Sequence, residues 1–280
     1  MASATFKPSG VREGLHGEDR GESKMSRAIF RIWRGATAPR DTERASQSGS
    51  GFVDYPLEIS EGMVVLDAVH RIQAEQAPDL AVRWNCKAGK CGSCSAEING
   101  MPRLMCMTRL NHLPLDKPVQ IEPMRTFPLI RDLVTDVSWN YSIKRRIQPL
   151  TPRPPDDSDG TWRVQQQDMD RVQEFRKCIE CYLCQDVCHV LREHQGFDEF
   201  AGPRFFTHMA ALEMHPIDQG SRLKALREEF GLGLCNITKC CTKVCPEGIH
   251  ITDNAIIPLK ERVVDEYFDP LRMLFRRKTK

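Results

Sequence analysis

The chain has 280 residues, with 40 basic and 38 acidic side chains, a net charge of +2 and twelve cysteines. Charges this nearly balanced give no electrostatic case for nucleic acid as a partner, and the length suffices for about two domains with cores of their own. The cysteines are too few and too clustered for a disulfide-stapled miniature scaffold, and no apolar run reaches the roughly 18 residues of a membrane-spanning helix.

Residues 1–27 mix Gly, Ser and both charge signs without periodicity and read as a disordered extension. They lack an apolar h-region, so no secretory signal is expected. The cysteines then belong to a reducing compartment, where grouped thiols serve metals more often than disulfides. AIFRIWRG from Ala28 alternates like a strand and ends in glycine, and FVDYPLEIS from Phe52 is a second strand. MVVLDAVHRIQAEQ follows the Glu61-Gly62 turn with apolar residues at Val64, Leu66, Val69 and Ile72, the spacing of an amphipathic helix. SAEINGMPRL carries Asn99-Gly100, a two-residue hairpin signal, and VQIEPM supplies a last strand. Strands around one helix, interrupted by a cysteine-rich loop, predict a compact α+β domain, drawn over 28–140 with LIRDLVTDVS (129–138) as a connecting helix.

IQPLTPRPPDDSDGTW is rich in Pro, Asp and Gly and predicts an irregular linker, drawn over 141–164. The second domain, 165–268, reads as helical through MDRVQEFRKCIECYLC, FFTHMAALEMH, SRLKALREEFG and TDNAIIPLKERVVDEYF, with a kink expected at Pro258. Residues 269–280 form a basic tail, read as solvated or partner-bound rather than lipid-binding.

Three cysteine sets carry the chemistry. Cys86, Cys91, Cys94 and Cys106 stand as C-x4-C-x2-C with a distant fourth, the plant-type 2Fe-2S spacing. Gly89, Gly92 and Ser93 let backbone amides close on such a core. A four-cysteine zinc site is the alternative, but it normally shows two pairs, each separated by two to four residues. Cys178, Cys181, Cys184 and Cys188 stand as C-x2-C-x2-C-x3-C, the bacterial ferredoxin spacing, in which the fourth cysteine serves a different cluster. The same ruler laid on CNITKCCTKVCP falls on Cys235, Thr238, Cys241 and Cys245.

Exchanging the fourth ligands gives Cys178, Cys181, Cys184 and Cys245 for a 4Fe-4S cube, and leaves Cys188, Cys235 and Cys241 for the other site. A threonine hydroxyl is a poor, hard ligand for sulfide-bridged iron, so the corner at Thr238 should lack its metal and the core should be 3Fe-4S. Cys240 lies one residue outside this register. It reads as a packed or partly exposed free thiol, because neighbouring residues seldom project alike; bent inward, it would cap the open corner. His189, beside Cys188, reads as a residue near the metal rather than a ligand, and His208 and His215 as packed or solvated helix positions.

The ordered set C-x4-C-x2-C-x11-C, C-x2-C-x2-C-x3-C and C-x5-C-x3-C-P resembles the iron-sulfur subunit of the succinate dehydrogenase and fumarate reductase family, over about residues 28–265. The resemblance implies the same eleven cysteine ligands in the same three groups. It also implies an N-terminal β-grasp ferredoxin-like domain followed by an all-α bacterial-ferredoxin-like domain. By the same resemblance, a flavoprotein subunit with bound FAD interconverts succinate and fumarate. Electrons pass through 2Fe-2S, 4Fe-4S and 3Fe-4S to a quinone or menaquinone at membrane-anchor subunits, which in some members carry cytochrome b. The chain would then sit on the cytoplasmic face of a bacterial inner membrane, with no catalytic residue of its own.

Where many members have Pro, Trp and His around the last cluster, this chain has His189, Val190, Leu191 and Asn236, so the quinone pocket does not carry over residue by residue. A thiol-linked fumarate reductase would need Cys-Cys-Gly repeats, and Cys240-Cys241 is followed by Thr242. No Gly-x-Gly-x-x-Gly fingerprint is present.

Overall fold

The computed structural model describes residues 26–39 and 41–270. Nearly all of the expected N-terminal extension and basic tail lies outside these residues. The first half runs β1 (Ser26–Arg34), α1 (Thr42–Gln47), β2 (Gly51–Ile59), α2 (Val65–Glu75), β3 (Ser95–Ile98), β4 (Met101–Leu104) and β5 (Val119–Glu122). The strands form one mixed sheet in the order β2-β1-β5-β3-β4, with β1 and β5 parallel and the other neighbours antiparallel. In β1 the alternation predicted from sequence holds: Ala28, Phe30 and Ile32 are buried while Ile29 stands exposed. Val65, Leu66, Ala68, Val69 and Ile72 make the buried stripe of α2, whose first turn is closed by Asp67 accepting from the Val64 amide at 3.1 Å. The β3–β4 turn is the expected one. Asn99 and Gly100 both take positive φ, 50° and 74°, and the Asn99 side chain accepts from the Gln120 amide, tying the turn to β5.

One expectation fails here. Residues 129–138 are not a connecting helix but a short hairpin, β6 (Leu129–Arg131) and β7 (Val134–Thr135), with helix α3 (Ser138–Arg146) starting only afterwards. The reason is a buried carboxylate at the turn. Asp132, 1% exposed and at φ 51°, accepts from the Gly35 amide at 2.7 Å and the Ala81 amide at 2.8 Å, and pairs with Arg34 at 3.3 Å. Its partners are distant in sequence, so no local periodicity announces them.

The second half comprises α4 (Gln166–Gln173), α5 (Leu183–Asp186), α6 (His189–Arg192), α7 (Pro203–Glu213), α8 (Leu223–Glu228), α9 (Cys240–Lys243) and α10 (Ile257–Tyr267). After α3 the Pro-rich stretch is irregular and held by buried Arg222, which donates to the Gln148 and Pro149 carbonyls and to Asp218, each at 2.8 Å. The helix expected through 169–184 instead stops at Cys178, because Glu180 and Tyr182 adopt left-handed backbone and turn the chain around the thiols. Around Pro258 the winding changes: a π-helical turn, Ile251–Ile256, passes directly into α10 with helical backbone at Ile256, so the irregularity falls just ahead of the residue that has no N–H to donate. Phe200, Phe205, Phe206, Met209, Leu226 and Leu259 centre this half, and their core is continuous with that beneath the sheet.

Asp132→Ala strips acceptors from two part-buried amides and a partner from Arg34, and is expected to lower unfolding stability by about 2–4 kcal/mol. Chemical denaturation of the two proteins under the same metal loading measures it; a change near zero would contradict the clamp.

Candidate metal centres

All twelve cysteines are free thiols. Among the described residues, no three His, Cys, Asp or Glu side chains lie close enough together to hold a single metal ion. The thiols ring wider spaces instead, an arrangement suited to an inorganic core of several atoms.

The first set sits on the loop between α2 and β3, with Cys106 just after β4. Cys86 Sγ accepts from the Ala88 and Lys90 amides at 3.4 and 3.3 Å, and Cys91 Sγ from the Cys86 amide at 3.5 Å, so the backbone wraps the sulfurs as the small residues predict. Burial raises the Cys91 thiol, yet hydrogen bonds from Ser93 and Cys86 outweigh it and bring it down to about 7. Cys94, deeper and beside Cys106, is pushed up by burial to about 12.

The second and third sets line two separate cavities in the helical half. One holds Cys178, Cys181, Cys184 and Cys245 together with Arg204. The other holds Cys188, Cys235, Cys240 and Cys241 with Thr238 and His189. Both cavities are small, so the donors rather than the size must choose the occupant. Cys245 thus lines one cavity with Cys178, Cys181 and Cys184, and Cys188 lines the other with Cys235, Cys240 and Cys241. Burial pushes Cys181 and Cys188 up to about 12 and Cys241 to about 11, and Cys184 well above its usual range. Bound iron reverses this, because a coordinating thiol is deprotonated outright.

The sets stand in sequence through direct contacts. A Cβ on Gly92 would lie 2.6 Å from Cys181 Cα, and Ser95 Oγ is 2.9 Å from both the Gly92 and Cys181 carbonyl oxygens. Cys184, in turn, lies close enough to feel the charge of Cys241 in the third set. A buried carboxylate ties the two halves around this junction: Glu97, 0% exposed, pairs across them with Arg192 at 3.0 Å and within its own half with Arg125 at 3.4 Å. Thr126 donates through its amide to Asp186 Oδ1 and through its hydroxyl to the Asp186 carbonyl. Burial, assisted by the nearby Glu97 charge, raises the Asp186 carboxyl to about 7 against the pull of Thr126 and Arg192.

Sequence reading missed Arg204, which is 5% exposed, bonded to Glu180 at 2.7 Å and within electrostatic reach of Cys178 and Cys184. Cys240, read as a packed or partly exposed free thiol that could bend inward, is half-buried and lines the third cavity. His189 lies on that cavity's wall, and His208 is partly buried on α7, as read.

A family profile described as a 2Fe-2S iron-sulfur cluster binding domain matches residues 30–141, and one described as a 4Fe-4S dicluster domain matches residues 174–249. The chain is 33% identical over 208 residues to the fumarate reductase iron-sulfur subunit of Mycobacterium tuberculosis, covering 72% of this chain and 82% of the relative. It is 31% identical to the succinate dehydrogenase iron-sulfur subunit of Paracoccus denitrificans, covering 73% of this chain and 78% of the relative. A chain of the Mycobacterium smegmatis Sdh1 complex in the apo form shares 58% identity, with a TM-score of 0.81, over 88% of this chain and 99% of that one. The fold and thiol loops thus define an α+β protein with 2Fe-2S and 4Fe-4S cluster-binding domains. It belongs to the family of succinate dehydrogenase and fumarate reductase iron-sulfur subunits.

Two substitutions test this geometry. Gly92→Ala, forced against the Cys181 backbone at φ 69°, is expected to reduce the iron and acid-labile sulfide retained per chain; full retention would show that the loops have slack. Arg204→Gln removes a buried positive charge beside the second thiol set and is expected to move that centre's reduction potential to more negative values, since a nearby cation favours the reduced, more negative core. An unchanged potential in a redox titration would contradict this.

Proposed function

We propose that this chain is the electron-conducting iron-sulfur subunit of a succinate:quinone oxidoreductase. Cys86, Cys91, Cys94 and Cys106 hold a 2Fe-2S cluster, Cys178, Cys181, Cys184 and Cys245 a 4Fe-4S cluster, and Cys188, Cys235 and Cys241 a 3Fe-4S cluster with Thr238 at its metal-free corner. When bound, these groups supply one-electron carriers. The protein's own work is to hold them in series, to keep water from the inner two behind buried side chains, and to set their potentials through amides and charges such as Arg204. The contact of Gly92 and Ser95 with Cys181 is the observation that carries this reading, because it brings the first two carriers together through one layer of backbone.

The succinate site belongs to a partner flavoprotein with FAD, and the terminal acceptor is a quinone or menaquinone near the third thiol set, at membrane-anchor subunits. No helix among the described residues is long and apolar enough to cross a membrane, consistent with a peripheral subunit held on the cytoplasmic face by its partners. We draw the N-terminal β-grasp domain at 28–140, the linker at 141–164, of which residues up to Arg146 complete α3 and only the remainder is irregular, and an all-α bacterial-ferredoxin-like domain at 165–268. The same conductor serves fumarate reduction when the partner potentials run the other way.

Anaerobic analysis is expected to give about nine irons per chain, as two-, four- and three-iron cores sum to, and a three-iron paramagnetic resonance signal in the oxidised protein. Zinc without acid-labile sulfide would overturn the reading.

A further inference from the structure

The sequence register leaves Thr238 at one corner of the third site, but the cavity wall there carries four thiols, not three: Cys188, Cys235, Cys240 and Cys241. Adjacent residues face the same space because the backbone is bent twice just ahead of them. Ile237 and Lys239 both adopt left-handed conformations, φ 61° and 60°, so the turn into α9 swings Cys240 alongside Cys241 instead of away from it. A left-handed β-branched isoleucine is unfavourable by itself and persists only where the surrounding structure enforces it. The Cys240 sulfur lies 3.2 Å from Thr238 Oγ1, beside the very residue that fails to supply a thiolate. It is also close enough to Cys188 and Cys241 for its charge to act on both.

We propose that Cys240 is a fourth thiolate of the third site, replacing the cysteine missing at Thr238 and able to hold a fourth, exchangeable iron. The inference rests on the cluster-binding reading above and concerns one corner of one site. Soft thiolate is the donor such iron selects, and the hydroxyl at Thr238 is not. Cys188 and Cys241 are buried while Cys235 and Cys240 are half-buried, so the corner Cys240 serves lies on the more open side of the site, from which iron can come and go. The exchange balances without an added oxidant. A three-iron core already reduced by one electron takes up one ferrous ion, the Cys240 thiol releases its proton to water, and a sulfur–iron bond forms. Starting from the oxidised core, one electron is needed first, from a chemical reductant or from the neighbouring centre. One-electron oxidation of the filled core returns the ferrous ion.

The test uses the full chain, purified anaerobically with whatever subunits accompany it, and ferrous iron as the probe. Wild type and Cys240→Ser are incubated with dithionite and ferrous iron, freed of excess metal and reoxidised with an oxidant strong enough to reoxidise an unfilled three-iron core but too weak to oxidise the filled one, and the three-iron paramagnetic resonance signal is compared with that before treatment. Cys240 as fourth ligand predicts loss of most of the signal in wild type, with iron per chain rising by about one, and full return of the signal in Cys240→Ser. Wild type already filled as purified, with Cys240→Ser restoring a three-iron signal, supports the Cys240 assignment and replaces the nine-iron count above by ten. An undiminished signal in wild type, or equal loss in both proteins, overturns the role of Cys240 while leaving three clusters in place. Absence of iron and sulfide from both overturns the cluster reading itself.

Discussion

The structure depends on one close approach: position 92 can carry only glycine because the Cys181 backbone occupies the space where a side chain would begin. Electron passage falls steeply with separation, so a conductor needs only a thin layer of protein between its carriers while each remains wrapped in its own loop. Gly92 meets both demands, since its positive φ turns the first loop sharply and its missing Cβ admits the second. The pairing of buried Glu97 with Arg192, and the bonds from Thr126 to Asp186, hold the two halves in that register. Buried charges of this kind contribute less to net stability than to fixing one arrangement, and here the arrangement sets the spacing of the redox centres.

A second constraint acts within each loop. Thiols spaced two residues apart converge on a core only if the chain curls tightly, and the curling is done by residues that are not all glycine. Lys87, Glu180, Tyr182, Ile237 and Lys239 take left-handed backbone around the three sets. Such strain is tolerated where the fold, and any core held there, overrides local preference. It also explains why one adjacent pair, Cys240 and Cys241, presents both sulfurs to the same cavity.

Much of this was legible in the sequence. The hairpin at Asn99-Gly100 and the buried stripe of α2 followed from turn chemistry and periodicity, and ligand spacing was enough to expect Cys245 beside Cys178, Cys181 and Cys184, whose cavity it lines. What escaped was settled at long range. Leu129, Leu133, Val134 and Val137 mimic a helical stripe, yet Asp132 is captured by Gly35 and Ala81, amides 97 and 51 residues away, and the segment becomes a hairpin. Arg204 carries no motif and matters only because α7 packs it against the second thiol cavity. Cys240 was read as turned aside because neighbours usually diverge, and no propensity scale places an isoleucine at φ 61°.

The central claim is that three centres conduct in series through this chain. It is tested most directly by adding succinate anaerobically to the intact complex and following the three-iron signal, the far end of the series. The account predicts that the signal disappears on succinate addition and reappears when an oxidised quinone analogue is supplied. A three-iron signal that stays unchanged while the 2Fe-2S centre becomes reduced would contradict it.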